Sequence, residues 1–387
     1  MKKMNVVIAI DSLKGSLTSV EAGAAIRTGI QNVYPDADIE ILPLADGGEG
    51  TVEALTSGMG GVLQEICVTG PADAPVICKY GILEASQTAI IEMAGAAGIT
   101  LIPEHERNPL HTTTYGVGEV IKDAIQKGCR KFIIGIGGSA TNDGGIGMLQ
   151  ALGFEFLDAS GHPVPYGAEG LSKVETITDD NVIAALKECQ FKIACDVSNV
   201  LCGPLGCASV FGPQKGADSE MVQNMDKWMA HYAEIVQSIR PEADAMRAGS
   251  GAAGGLGFAF LSFTNAVLEP GIDIILHEIK LENYVRCADI VVTGEGRLDD
   301  QTVMGKAPAG VAKLAKKYQK PVIAFAGMVT ENANICNEYG IDAFFPILRE
   351  VVSLDEAMNR ETSRNNLSAT AKQVFRLIKV IQNSEKG

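Results

Sequence analysis

The sequence predicts an α/β protein of two domains. One is a doubly wound, Rossmann-like parallel-sheet domain built from the N- and C-terminal segments; the other is a mixed α/β domain inserted into it. Three observations carry this. Short Val- and Ile-rich runs alternate with helical patterns at both ends of the chain, the middle reads as short strands, turns and long helices, and 387 residues exceed what one domain usually holds.

Residues 5–10 read as a strand whose Val6 to Ile10 form an unbroken apolar run, as a parallel strand covered on both faces requires. The loop Asp11-Ser12-Leu13-Lys14-Gly15-Ser16 follows, and Thr18 with Glu21 makes a capping box that starts a helix, which should stop before Pro35. Residues 39–44 read as the next strand, 45–48 as its loop, and the stretch from Thr51 to Gly58 as helical. Towards the other end, a strand over 289–293 leads into a loop at 294–299, then a helix over 309–318 and strands over 321–325 and 341–347 with a helix between them. In the middle, 68–105 has the pattern of short strands and turns, 117–127 of a helix, and 131–136 of a strand entering a glycine-rich loop. Helical patterns cover 217–240 and 255–267; Met221, Met225 and Met229, with Trp228, give the first of these a buried face. These boundaries place the discontinuous Rossmann-like domain at 1–69 plus 286–387 and the inserted domain at 70–285.

Hydrophobic residues make up 46% and charged residues 20%, the balance of a chain with a sizeable core. A formal net charge of −15 repels polyanions, so no nucleic-acid partner is expected. Nine cysteines, odd in number and scattered without a CxxC, argue against a disulfide framework or a zinc site and fit a reducing cytoplasm. Asp11 breaks the first apolar run too early for a signal peptide, and no run of 18 apolar residues suggests a membrane partner.

Ligands of open α/β sheets bind beyond the carboxyl ends of the strands. The residues there are biased: Asp11 and Lys14, Asp46 and Glu49, Asn142 and Asp143, Asp196, then Glu295, Arg297 and Asp299. Carboxylates suit Mg²⁺ or a general base, and Lys and Arg suit phosphate, which is the mixture phosphoryl transfer needs. The richest loop reads Gly135-Ile136-Gly137-Gly138-Ser139-Ala140-Thr141-Asn142-Asp143-Gly144-Gly145. Its small residues let backbone amides approach an anion. It is no Walker A loop, since the chain has no GxxxxGK[ST], and there is no protein-kinase HRD or DFG. A formal GxGxxG at 249–254 follows a helical rather than an extended stretch, so it reads as a loop leading into the next helix.

Taken in order, the blocks resemble those of the type-1 glycerate kinases, the bacterial glycerate 2-kinase family. They are Asp11-Ser12-Leu13-Lys14-Gly15-Ser16, the segment 43–51 around Asp46-Gly47-Gly48-Glu49, the loop 137–145, Phe211-Gly212-Pro213-Gln214-Lys215-Gly216-Ala217, the segment 251–257, and Gly294-Glu295-Gly296-Arg297-Leu298-Asp299-Asp300-Gln301-Thr302 with Gly305-Lys306-Ala307-Pro308. Val200, where the family has proline, and Cys207, where alanine is usual, depart from the pattern without removing a charged or hydroxyl group. The resemblance implies ATP and Mg²⁺ as cofactors, D-glycerate as acceptor, 2-phosphoglycerate as product, and an active site in the cleft between two α/β domains. The residues alone do not separate the 2- from the 3-phosphorylated product.

On this basis Asp196 is the expected base, or the group that orients the acceptor hydroxyl, and Lys14 and Arg297 are expected at the substrate carboxylate or the transferred phosphoryl. Ser16, Gln301, Thr302 and Arg107 are candidates for binding the acceptor; Gly137, Gly138, Ser139, Thr141, Asn142 and Asp143 for the phosphates of ATP; Asp46, Glu295 and Asp299 compete for Mg²⁺. Lys215 and Lys306 carry less weight, because lone lysines are usually solvated, and Thr112-Thr113-Thr114 reads first as a helix cap. The expected partners are small molecules, with a homo-oligomer left open. Two other classes remain at this point: a nicotinamide-dependent hydroxy-acid oxidoreductase, resting on the GxGxxG at 249–254 and a GxGxxA at Gly135 to Ala140, and a non-enzymatic metabolite-binding module.

Overall fold

The computed structural model describes residues 3–45 and 50–384. The chain divides into two compact units, residues 1–46 with 272–387 and residues 47–271.

The first unit is built on a five-stranded sheet in which every pairing is parallel. Across the sheet the strands run Ala343–Pro346, Val322–Val329, Ile290–Leu298, Asn5–Ile8 and Asp38–Ile41. A strand from the C-terminal segment thus lies directly against the first strand of the chain, in the register Val6 to Ile290 and Ile8 to Val292. Val6, Ile8, Val292 and Phe325 form the core with Ile26 of the helix Ser19–Gln31 and Phe375 of the helix Arg360–Ser384. The capping box forms as the sequence predicts: Glu21 N donates to Thr18 Oγ1 and the Glu21 carboxylate accepts the Thr18 amide. The 25-residue helix Arg360–Ser384 is an element the sequence pattern did not single out. Its buried stripe is Ser363, Leu367, Ala371, Val374 and Phe375, while the apolar residues Leu377, Val380 and Ile381 near its C-terminal end are exposed.

The expected loop at 294–299 requires correction. The strand continues to Leu298, pairing Glu295 with Ala326, Arg297 with Met328 and Leu298 with Val329. Glycines 294 and 296 read as loop signals, yet the neighbouring strand Val322–Val329 pairs with the residues on both sides of Gly296, and pairing overrides the weak strand propensity of glycine. Glu295 and Arg297 therefore project from a strand, two residues apart and so on one face.

The second unit holds a six-stranded mixed sheet, ordered Ala266–Glu269, Gln190–Ala194, Lys131–Gly135, Thr88–Glu92, Pro75–Leu83 and Val62–Thr69. The first four are paired parallel, and the last two pairings are antiparallel. Phe132 and Phe191, on paired strands, stack with centroids 4.7 Å apart in the core. The helix Ser219–Ile239 buries Met225, Met229, Tyr232 and Val236 along one stripe; of the face that the methionine spacing predicts, Met225 and Met229 are buried and Met221 and Trp228 are half-buried. Residues 253–255 all take positive φ, so the helix that ends at Phe263 starts after this turn. Gly254 has little alternative: at φ +65° a Cβ would stand 2.0 Å from the carbonyl oxygen of Thr141. Among the described residues no helix is long and apolar enough to cross a membrane.

Candidate active site

In the first unit, charge converges at the end of the Ile290–Leu298 strand. Glu295 and Asp299 are both buried. Thr302, in the turn Asp300–Val303, is fully buried; its hydroxyl donates to Glu295 Oε1 at 2.7 Å and accepts the Asp299 amide at 3.1 Å. Asp299 Oδ1 in turn accepts the Gln301 amide at 3.0 Å, capping that turn. Two cations complete the group. Lys306 Nζ stands 3.5 Å from Glu295 Oε2 and 3.7 Å from Asp299 Oδ1, and Arg297 Nε is 3.1 Å from Asp299 Oδ2. Burial lifts the Glu295 carboxyl above the ordinary carboxylate range; the Thr302 hydrogen bond and the Lys306 charge oppose that rise, and Asp299 adds to it.

The loop 11–16 is tied to the same strand, the Asp11 amide donating to Gly294 O at 2.9 Å. Lys14 is exposed on it, and the Ser16 hydroxyl donates to Leu13 O at 3.0 Å. Asp46, the third candidate for Mg²⁺, lies outside the described residues. Among the described residues no group of three or more His, Cys, Asp or Glu gathers for a metal. Mg²⁺ needs only one or two protein carboxylates where water and phosphate complete its shell, and the pair Glu295 and Asp299 meets that requirement.

In the second unit the glycine-rich loop follows the strand Lys131–Gly135 and divides in two. Gly137 and Gly138 are exposed, while Ser139, Thr141, Asn142 and Asp143 are buried. The carbonyls of the loop turn to the protein: Gly138 O accepts Ile99 N at 2.8 Å, Ala140 O accepts the Thr112 hydroxyl at 3.0 Å, and Thr141 O accepts Lys215 Nζ at 2.6 Å. By contrast, the amides of Gly137, Gly138 and Ser139 find no acceptor among the described residues. Gly138 has φ +73°, the left-handed turn that lets successive amides form an anion-binding concavity.

Asp143 organises what lies behind. Its carboxylate accepts the Thr114 amide and hydroxyl, each at 2.8 Å, the Gly145 amide at 3.0 Å and the Gly147 amide at 3.4 Å. Burial raises its pKa and those four bonds pull the other way. Thr114, read from the sequence as a cap, makes no side-chain cap bond on its own helix; it bridges Asp143 to the amide of Met148 at 2.9 Å. Among the described residues, Thr141 Oγ1 and Asn142 Oδ1 are buried without a partner, as is Arg107 Nε. Asp196 is exposed beyond the strand Gln190–Ala194, and its Oδ1 accepts the Gly271 amide at 3.0 Å. A cavity of about 940 Å³ elsewhere in this unit is lined by Thr112, Tyr115 and Tyr166 among others, but by none of Arg107, the loop residues or Asp196.

The structure thus gathers Glu295, Arg297, Asp299, Gln301 and Thr302 at one strand end with the loop of Lys14 and Ser16 tied to it, and separately arranges 137–143 as one loop. It also puts Lys306 and Lys215 against these groups. Both stand in the sequence blocks that carry the resemblance, and their position there, beside glycine and proline, was the available signal.

Comparison with known proteins points the same way. The model of the glycerate kinase family matches residues 6–379. The chain is 46% identical to a glycerate kinase of Haemophilus influenzae over 375 residues, covering 97% of this chain and 99% of that one. It is 44% identical to the glycerate 2-kinase of Escherichia coli over 354 residues, covering 92% and 93%. The crystal structure described as that of a glycerate kinase 2 from Salmonella typhimurium LT2 superposes with a TM-score of 0.92 at 42% identity, covering 99% of this chain and all of that one.

Proposed function

This chain belongs to the glycerate kinase family and is a kinase, and from that premise we propose that it transfers the γ-phosphoryl group of ATP to the 2-hydroxyl of D-glycerate, giving 2-phosphoglycerate and ADP. The observation that carries the reading is the whole-length similarity to glycerate kinases, one of them a glycerate 2-kinase, in a chain whose own loops hold the charges such a transfer needs.

In this reading the unspent amides of Gly137, Gly138 and Ser139 receive phosphate oxygens of ATP. Thr141, Asn142 and Asp143 lie behind them and hold the loop in shape, with Asp143 as the hub of the hydrogen bonds. Glu295 and Asp299 hold Mg²⁺, which supplies charge neutralisation at the phosphates; Asp46 remains the third candidate. Thr302 fixes the rotamer of Glu295 through its hydroxyl, and Gln301 binds the acceptor. Lys14 and Arg297 offer cations to the carboxylate of glycerate or to the phosphoryl in flight, with Ser16 and Arg107 as further acceptor contacts. Asp196 takes the proton of the acceptor hydroxyl, or orients that hydroxyl, for which it must come within about 3 Å. The paired opposite charges at Glu295, Asp299, Lys306 and Arg297 suit stabilisation of a charge-rich transition state more than hydride transfer, and the glycine-rich segment at 249–254 lacks the strand that a dinucleotide fingerprint requires.

The test is ADP release by the purified protein with ATP, Mg²⁺ and D-glycerate, run beside L-glycerate, lactate and tartronate. ADP formed with D-glycerate above all others supports the reading. ADP formed equally without an acceptor, or an absorbance change of added NAD(P)H in its place, contradicts it.

A further inference from the structure

Lys215 is the one buried lysine among the described residues. It ends the short turn Pro213–Lys215, held by Lys215 N on Gly212 O at 2.9 Å and Gly216 N on Pro213 O at 3.1 Å. Gly216 follows at φ +95°, where a Cβ would stand 2.2 Å from the carbonyl oxygen of Arg107. The turn is thereby clamped between the helix Cys207–Phe211 and the Arg107 backbone, and the side chain runs inward. Its Nζ donates to Ser139 Oγ at 2.8 Å and to Thr141 O at 2.6 Å.

Both acceptors belong to the glycine-rich loop, and they flank its inward-bonded Ala140 carbonyl. A buried ammonium is costly to desolvate, and an apolar side chain of similar length would fill the space at lower cost. The charge therefore needs a reason, and the loop supplies one: drawing Ser139 Oγ and Thr141 O inward leaves the amides of Gly137, Gly138 and Ser139 unspent. Two titratable groups face the ammonium. Cys207, from the preceding helix, has its thiol pushed up to about 12 by burial and stays neutral; Asp143, from the loop, supplies the negative charge.

We propose that Lys215 is the positioning residue of the phosphate loop: its ammonium holds Ser139 and Thr141 from behind, so that the outer amides stay available to the polyphosphate of ATP, and it adds a fixed positive charge beneath them without touching the substrate. This rests on the reading of the chain as an ATP-dependent kinase. Burial brings the Lys215 pKa down to about 8, so the charge is present at neutral pH and lost as pH rises through that value. Charge-assisted hydrogen bonds are roughly twice as strong as neutral ones, so the loop loosens along with the charge.

The experiment compares wild type with Lys215→Met. For the variant, kcat/KM for ATP is expected to fall by roughly 10- to 100-fold, the scale of one charge-assisted hydrogen bond, while KM for D-glycerate moves less than about threefold. A filler role would change stability and leave that split absent. The wild type supplies an independent readout. Its affinity for ADP, measured by calorimetry without glycerate, is expected to weaken at least about threefold from pH 7 to about pH 9.5, with its midpoint near the Lys215 pKa. A Lys215→Met protein with wild-type kcat/KM for ATP overturns the proposal. If that variant does not fold, a flat wild-type ADP affinity over the same pH range overturns it. A wild type that binds ADP but makes no phosphoglycerate would instead sink the proposed reaction and leave the ADP profile to decide the role of Lys215.

Discussion

Around Glu295, two buried carboxylates are flanked by cations that keep part of their surface in water: the Arg297 side chain is 59% exposed and that of Lys306 is 31% exposed. Behind residues 137–143 the arrangement is reversed, with one buried cation, Lys215, bonded to two neutral oxygens and facing one buried carboxylate, Asp143. The first region can trade partners, since a half-exposed lysine can leave its carboxylates when a divalent ion arrives. The second cannot, because its cation has nowhere to go. One site therefore keeps its charge adjustable and the other keeps its shape fixed, and the fixed one works through backbone amides rather than side chains.

The largest expected effect tests whether the second unit also contributes a reacting side chain. Asp196→Asn should lower kcat by roughly 10²- to 10⁴-fold with little change in KM for ATP, the range for losing a general base, as read by steady-state kinetics. A loss below about tenfold would leave Asp196 as an orienting group. Gly254→Ala probes the rigidity of the loop itself. With a Cβ 2.0 Å from Thr141 O at φ +65°, it should cost roughly 2–4 kcal/mol in denaturant unfolding and raise KM for ATP. A fully stable Gly254→Ala protein would mean the loop yields where this account holds it rigid.

Lys306→Met sharpens the other half. Removing a cation from two buried carboxylates should destabilise the protein without Mg²⁺ by roughly 1–3 kcal/mol, and Mg²⁺ should restore more stability to the variant than it adds to wild type. Equal Mg²⁺ stabilisation of both proteins would separate Lys306 from the metal.

Lys215 has a signature of the opposite sign. Its folded pKa of about 8 lies below the ordinary lysine value near 10.4, so between these the unfolded chain binds more protons than the folded one. The desolvation cost of the charge is therefore present below about pH 8 and relieved as pH rises towards 10.4. Unfolding free energy of wild type minus that of Lys215→Met should become more favourable to wild type across that window, while ADP affinity declines. A difference that stays constant with pH would place the Lys215 pKa outside the window. The smallest effect is expected for Cys207→Ala. The neutral thiol carries no charge to lose, so kcat/KM should stay within about twofold and stability within about 1 kcal/mol of wild type.

Much of this architecture was legible from local rules. The Thr18 and Glu21 capping box, the buried methionine stripe and the alternating Val/Ile strands all report a period or a cap that neighbouring residues decide. What escaped depends on partners distant in sequence. Glycines 294 and 296 spoke for a loop, and only the ladder to Val322–Val329 makes that stretch a strand. Arg360–Ser384 escaped because its first two turns are polar and the exposed Leu377, Val380 and Ile381 blur the helical period of its few buried residues. Among the site residues, Glu295, Arg297 and Asp299 stood out because charge among glycines at a strand end is unusual. Lys215 and Lys306 did not, because a lysine looks solvated until the fold encloses it. Asp143 was legible as part of the loop but not as its hub, since the Thr114 contact spans 29 residues.

The most direct test is ³¹P NMR of the purified protein with ATP, Mg²⁺ and D-glycerate. A resonance of 2-phosphoglycerate growing in step with ADP is the predicted result. A 3-phosphoglycerate resonance would contradict the proposed position of transfer, and no phosphoglycerate at all from folded protein would contradict the reaction itself.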